Sequence, residues 1–426
     1  MMRTRIEGGR VIDPANNIDA ELDVYLADGQ IVAVGDAPES FSVDQVITAE
    51  NKLVCPGLID LSARLGEPGS EHQATIATET RAAVSSGITT VVCPPDTDPV
   101  IDSAAVAEMI RRHSAAAGLS RVLPLGALTS ALEGKQLSEM MTLLSAGVVS
   151  LSNANQPIES SLVMQRAMEY AATQNITLFI TPVDAALSEG CMHEGALSTR
   201  LGLPGIPESA ETAALARDLV LVEQTGVSAH FCRLTCAKSV DMIARAQQDG
   251  LAVTADVSAH HLFLTDIDIR EYDSHCHVLP PLRSERDRDA LRQGIRDGII
   301  TAICSDHTPH EEDAKAAPFA STLPGMSALE TMMPLSLRLA NDGVADLSTI
   351  ISCLSAGPAN ILNLPYGSLS VGATADVCII DPQFSWMVDT DTLLSAAHNS
   401  AFLGWEMFGR ATHTFIKGHL VYSMEH

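Results

Sequence analysis

Eight short runs of β-branched or otherwise apolar residues, at 53–61, 88–93, 121–127, 148–152, 177–181, 227–232, 251–257 and 299–304, recur along the chain, separated by helical patterns or loops. Five of the intervening stretches, 103–117, 158–174, 208–225, 237–248 and 286–297, carry apolar residues three and four apart with charges between them. That spacing gives a helix one buried stripe. Strands alternating with helices build a parallel sheet, and eight such units predict a (β/α)8 barrel over 53–366. Residues 1–52 and 367–426 lie outside the repeat. They read as hairpin-like strands around Gly8-Gly9 and Asp28-Gly29 at one end, and in GATADVCII and THTFIKGHLVY at the other. The two ends predict one small composite β domain.

Charge and cysteine usage narrow the setting. With 53 acidic against 26 basic residues the net charge is −27, which repels phosphate backbones and anionic membranes, so neither is expected as a partner. The opening MMRTRIEGGRVID has no apolar signal core, and no window approaches the ~18 uninterrupted apolar residues of a spanning helix. A cytoplasmic protein is expected. Nine scattered cysteines suit reduced, buried thiols without a disulfide. Strand alternation across His275, Cys276 and His277 would put both imidazoles on one face, but with no second pair at metal spacing the segment reads as a loop.

Barrels of this kind carry their chemistry at the C-terminal ends of the strands. The polar residues closing the runs are Ser62, Arg64, Asp96, Thr129, Asn153, Thr181, His230, Arg233, His260, His261, Asp306, His307 and His310. A catalytic zinc needs about three convergent protein ligands. This set contains serine, threonine, asparagine and two permanent cations.

The segment PGLIDLSARLGEPG at 56–69 resembles the first strand of the cyclic amidohydrolases, most closely the dihydroorotases, in which the block runs PGfiDxHxHxRePG and its two histidines bind zinc. SLSNANQPI (150–158), GLPGIPESAE (202–211), VTADVSAHHLFLTD (253–266), PPLRSERDRDAL (280–291) and SDHTPH (305–310) match further blocks of that family in order. The resemblance implies an amidohydrolase-type TIM barrel with a small β-sandwich domain made from both termini. It also implies which positions have changed. Ser62 and Arg64 stand where the paired histidines belong, Asn153 in place of the metal-bridging carboxylate, Thr181 and Arg233 in place of two further ligand histidines. Gly66 replaces the substrate-clamping arginine and Leu279 the asparagine of NPPLR, so that Asp306 alone survives among the expected ligands.

No tightly bound zinc is expected, and His230, His260, His261, His307 and His310 are read as packed and inert, with Arg283 paired to acidic neighbours around the following helix. Arg64 and Arg233 are expected to turn inward and balance Asp306 in place of a metal. The resemblance extends to noncatalytic homologues that accompany aspartate transcarbamoylase in some bacteria, which implies an inactive subunit that pairs with itself and with transcarbamoylase catalytic chains in pyrimidine biosynthesis. The rival expectation is a working metal-dependent hydrolase of a cyclic amide such as a hydantoin, with His230, His260 and Asp306 as recruited ligands. The loop 309–325, with no substrate to cover, is expected to be mobile.

Overall fold

A computed structural model describes residues 3–39 and 41–424. Eight parallel strands follow one another around a single sheet in chain order: β1 (Leu58–Asp60), β2 (Ile88–Cys93), β3 (Arg121–Ala127), β4 (Ser150–Ser152), β5 (Leu178–Ile180), β6 (Ala229–Phe231), β7 (Val253–Ser258) and β8 (Ala302–Cys304). Strands enclosed on both faces read as unbroken apolar runs, and all six residues of β2 are buried. The ring is drawn together beyond the strand ends, where Ala63 bridges His307 and the Arg64 amide donates to the His307 carbonyl at 2.8 Å. Below that bridge the Ser305 amide donates to Asp60 Oδ1 at 2.9 Å, and its hydroxyl donates to Oδ2. Burial pushes the Asp60 carboxyl up to about 6.

The crossover helices lie close to where the spacing puts them, at Ala104–Ala117, Ser161–Thr173, Ser209–Thr225, Ala237–Gln248 and Glu285–Arg296. Ser160 and Ser284 cap two of them by accepting from Val163 and Asp287 amides, which satisfies donors the helix cannot use itself.

The run 53–61 is not one strand. Leu53–Pro56 pairs with Arg10 and Val11 on one side and with the Val377–Met387 strand on the other, whereas Leu58 begins the barrel. Gly57 sits at the crossing, where an added Cβ would stand 2.3 Å from Thr89 Oγ1. Apolar patterning cannot show such a change of sheet, because both sheets bury the same kind of residue. The terminal sheet combines strands from both ends, Thr4–Asp13, Ile18–Ala27, Gln30–Val34, Gln45–Thr48 and Leu53–Pro56 with Val377–Met387, Glu406–Ile416 and His419–Ser423. It packs its own core of Ile6, Val11, Val24, Ile31, Val54, Val377 and Phe415. Sheet and barrel are joined by a bidentate pair, Arg121 Nη1 and Nη2 to Asp376 at 2.5 and 2.8 Å, with Tyr366 stacked on the guanidinium. All nine cysteines are buried and free, and no helix among the described residues is long and apolar enough to cross a membrane.

Candidate functional site

Asp306 follows β8 with a left-handed φ of +50°, and Arg233 follows β6 with φ +54°. Both turns aim side chains across the C-terminal mouth of the barrel. Arg233 Nη1 lies 2.8 Å from Asp306 Oδ1, with both groups at most 5% exposed. Arg233 Nη2 donates to Thr181 Oγ1 at 2.9 Å and to Asn155 Oδ1, and its amide donates to Asp256 Oδ1 at 2.5 Å. Arg64 reaches in from β1: Nη1 stands 3.4 Å from Asp306 Oδ1, while Nε and Nη2 donate to Asp96 Oδ2 at 3.0 and 2.8 Å. Two guanidinium groups thus face two carboxylates, Asp306 and Asp96. Burial alone would loosen the Arg233 proton, but Asp306 beside it holds it more firmly than usual. Ser62 Oγ lies 3.4 Å from Asp306 Oδ1.

The other mouth residues are similarly engaged. Asn153 accepts from Thr129 at 2.7 Å and donates to the carbonyls of Gln156 and Leu132. His230 is fully buried, with Nε2 2.9 Å from Asp256 Oδ2 and Nδ1 2.9 Å from Thr254 Oγ1. His260 and His261 share the Ser258 hydroxyl, and His261 Nε2 reaches the Pro281 carbonyl at 3.2 Å. Burial, reinforced by Arg233 at His260 and by His260 at His261, pushes each imidazole down to about 3. His307 Nδ1 accepts from the Ala328 amide at 3.0 Å, so its proton sits on Nε2, 2.9 Å from Glu79 Oε2. His310 is bound through its amide to Asn399 and through Nε2 to the Pro324 carbonyl at 3.0 Å.

Two expectations fail here. Arg283 is buried and makes no ion pair with a described carboxylate. It donates instead to Thr235 Oγ1 (3.1 Å), the Ile206 carbonyl (2.6 Å) and His193 Nδ1 (3.1 Å). In helix 285–296 Glu285 and Asp289 are exposed while Asp287 is buried and accepts from the Ala237 amide at 2.9 Å, and Pro280, Pro281 and Arg283 line a cavity at the barrel mouth. The loop 309–325 is also tied down: Lys315 Nζ donates to the carbonyls of His277 (3.2 Å) and Leu323 (2.7 Å), and Phe319 packs on the His277 ring. His277 is thus a packing residue of that loop, as a loop reading of His275–His277 requires.

The family model described as "Dihydro-orotase-like" matches residues 51–239. A "Dihydroorotase-like protein" of Pseudomonas putida is 46% identical over 425 residues, covering 100% of both chains. The chain belongs to the dihydroorotase-like family. Another "Dihydroorotase-like protein", from Pseudomonas aeruginosa, is 46% identical over 422 residues, and a "Dihydroorotase" of a Geobacter species is 43% identical over the same length. In each case 99% of this chain and at least 99% of the relative are covered. The fold matches that of the L-hydantoinase from Arthrobacter aurescens with a TM-score of 0.88 at 20% identity, over 99% of this chain and 96% of that one.

The metal site of dihydroorotases does not fit these residues. A divalent ion beside Asp306 would have to share its space with the Arg233 guanidinium, 2.8 Å away, and with Arg64. Among the described residues, the groups whose ligand atoms converge are His230–Cys232–Asp256 and His193–Glu208–Asp287. Neither contains His260 or Asp306, so the trio His230, His260 and Asp306 is not assembled. The position at which the family resemblance places a substrate-clamping arginine has no room for a side chain. Gly66 has φ +71°, and a Cβ there would lie 2.3 Å from the Ala74 carbonyl oxygen. What remains of the mouth is a cavity of about 120 Å³ walled by Asn155, Thr181, Glu211, Arg233, Leu279 and Arg283, among others.

Proposed function

We propose that this chain is a catalytically inactive member of the dihydroorotase-like family that binds no zinc and serves as a structural and assembly partner of the aspartate transcarbamoylase catalytic chain, pairing with itself inside a larger hetero-oligomer. The observation that carries the loss of catalysis is the Arg233–Asp306 contact, with Arg64 behind it. Hydrolysis of a cyclic amide at neutral pH needs a metal-lowered water pKa of about 7. A carboxylate already neutralised by guanidinium is not an open ligand. The partner is what the family resemblance implies. Exposed apolar side chains such as Leu162, Val220, Val371 and Phe408 are compatible with an assembled state, in which such residues are covered.

Metal content per chain tests the first half of this reading, measured after chelator-free purification and again after incubation with zinc, together with dihydroorotase turnover in added zinc. Near-zero stoichiometry and no turnover are expected. Tightly held zinc with turnover would refute inactivity. Co-expression with the transcarbamoylase catalytic chain tests the second half, with one stoichiometric complex expected on gel filtration. Two separate peaks at micromolar concentration would refute the partnership.

A further inference from the structure

Helix 209–225 is apolar on its outward side as well as on the side it packs against the barrel. Its outward line runs through Ala213, Ala216 and Val220, residues three and four apart, and all three are exposed, Val220 by 61%. The charged residues of 212–222 are Arg217 and Asp218. Arg217 donates to the Ile158 carbonyl and to Asp218, which is 1% exposed. Helix 161–173 packs alongside and adds Leu162, 62% exposed, and Tyr170, 42% exposed. Its own charges, Arg166 and Glu169, pair with each other at 3.1 Å. Each helix returns from one parallel strand to the next, so the two run in the same direction and present one face. A helix that is apolar all round is ordinarily covered all round, and an exposed apolar patch rimmed by polar residues marks a place where another macromolecule sits.

We propose that two copies of the chain meet at this face across a twofold axis, helices 161–173 and 209–225 of one copy lying on the same helices of the other. The inference rests on the self-pairing proposed above and locates it. Net charge selects the occupant. Two copies carrying −27 each repel over most of their surface, and like charges opposed at a contact disfavour it. A second copy therefore needs a face on which the acids are already matched, and here Glu169 is matched by Arg166 and Asp218 by Arg217. A basic partner would be drawn instead to the surplus acid, which lies elsewhere. Glu159 and Glu189 stand beyond the Ala213 end of the face and Glu223 beyond the Val220 end, at a rim that stays in water. Size is adequate as well. The 17 residues of the longer helix span about 25 Å and two helices side by side about 20 Å, roughly 500 Å² in projection. Side-chain relief raises that figure toward the about 800 Å² that a stable interface buries on each partner.

Sedimentation velocity of the full-length chain, alone and at micromolar concentration, tests the proposal. The variants are Val220→Glu and Leu162→Glu on the face, with Phe408→Glu as a control at an exposed apolar residue of the terminal sheet. The parent is expected to be a dimer that tightens as sodium chloride is raised, because salt screens the acids at the rim. Each face variant should weaken it by about a hundredfold or more, since a carboxylate would be buried there without a partner, and Phe408→Glu should leave it unchanged. If Val220→Glu does not fold, Leu162→Glu decides alone. The proposal is overturned by a dimer that survives both face variants, by one lost equally in Phe408→Glu, or by face variants that stay dimeric and lose only the transcarbamoylase complex. A parent that is monomeric throughout would overturn the self-pairing along with it, whereas a dimer indifferent to the face variants would overturn this inference alone.

Discussion

Asp306→Asn is the sharpest test of the internal counter-charge. The backbone tolerates it, because asparagine populates the left-handed region as readily as aspartate and φ is +50° there. Two unit charges about 4 Å apart interact by about 4 kcal/mol at an effective dielectric of 20. Asparagine restores one neutral hydrogen bond of about 1 kcal/mol, which leaves a net cost of about 3 kcal/mol. Arg233 bears that cost, since Thr181 and Asn155 are its other side-chain partners, whereas Arg64 keeps Asp96. The assay is a double-mutant cycle with Arg233→Asn, which also suits its φ of +54°, followed by urea unfolding with matched m-values. The double variant should be less destabilised than the sum of the singles by about 2 kcal/mol or more. Additive costs, or a single-variant cost below about 0.5 kcal/mol, would refute the reasoning.

Three further outcomes are expected. Gly66→Arg should destabilise by about 3 kcal/mol through left-handed strain and the clash with Ala74 and should confer no dihydroorotase turnover, as read by thermal midpoint and a turnover assay. His260 and His261 have folded pKa values lowered from 6.5 to about 3, so their contribution is full above 6.5 and is lost as pH falls toward 3. Each then adds a slope of about 1.4 kcal/mol per pH unit. Asp60 and Asp218, raised by burial to about 6, act with the opposite sign between 3.8 and 6. His260→Gln/His261→Gln should therefore flatten the acid limb of unfolding free energy against pH, and an unchanged limb would refute the assignment. Lys315→Met should release the loop it fastens, raising amide hydrogen exchange across 312–323 by about tenfold or more with little change elsewhere.

Alternation of strand and helix makes the barrel legible, because the eight runs differ from their surroundings in the period of their apolar residues. The passage of the chain from one sheet to the other at Gly57 is not legible, since both sheets bury the same kinds of side chain. In the mouth, Arg64 and Arg233 point to Asp306 because both cations stand where the family resemblance places ligand histidines. Asp96 as the second carboxylate is visible only as a polar strand end, and its pairing with Arg64 depends on the fold of the 94–102 loop. Arg283 misleads for a related reason. Its neighbours in sequence are acidic, but its neighbours in space are Thr235 and Ile206, brought from elements 48 and 77 residues away. Lys315 looks like one charge among several in a loop, and only packing distinguishes a buried ammonium from a solvated one.

A metal that balances buried carboxylates is a ligand in equilibrium, and chelators, dilution or scarcity can remove it. The guanidinium groups of Arg64 and Arg233 are part of the chain and cannot dissociate. A barrel whose mouth is neutralised this way has no apo state to populate during synthesis, so its folding yield should be indifferent to the metal supply of the cell. For the assembly partner proposed above, that independence would keep the supply of the building block from following the supply of the metal.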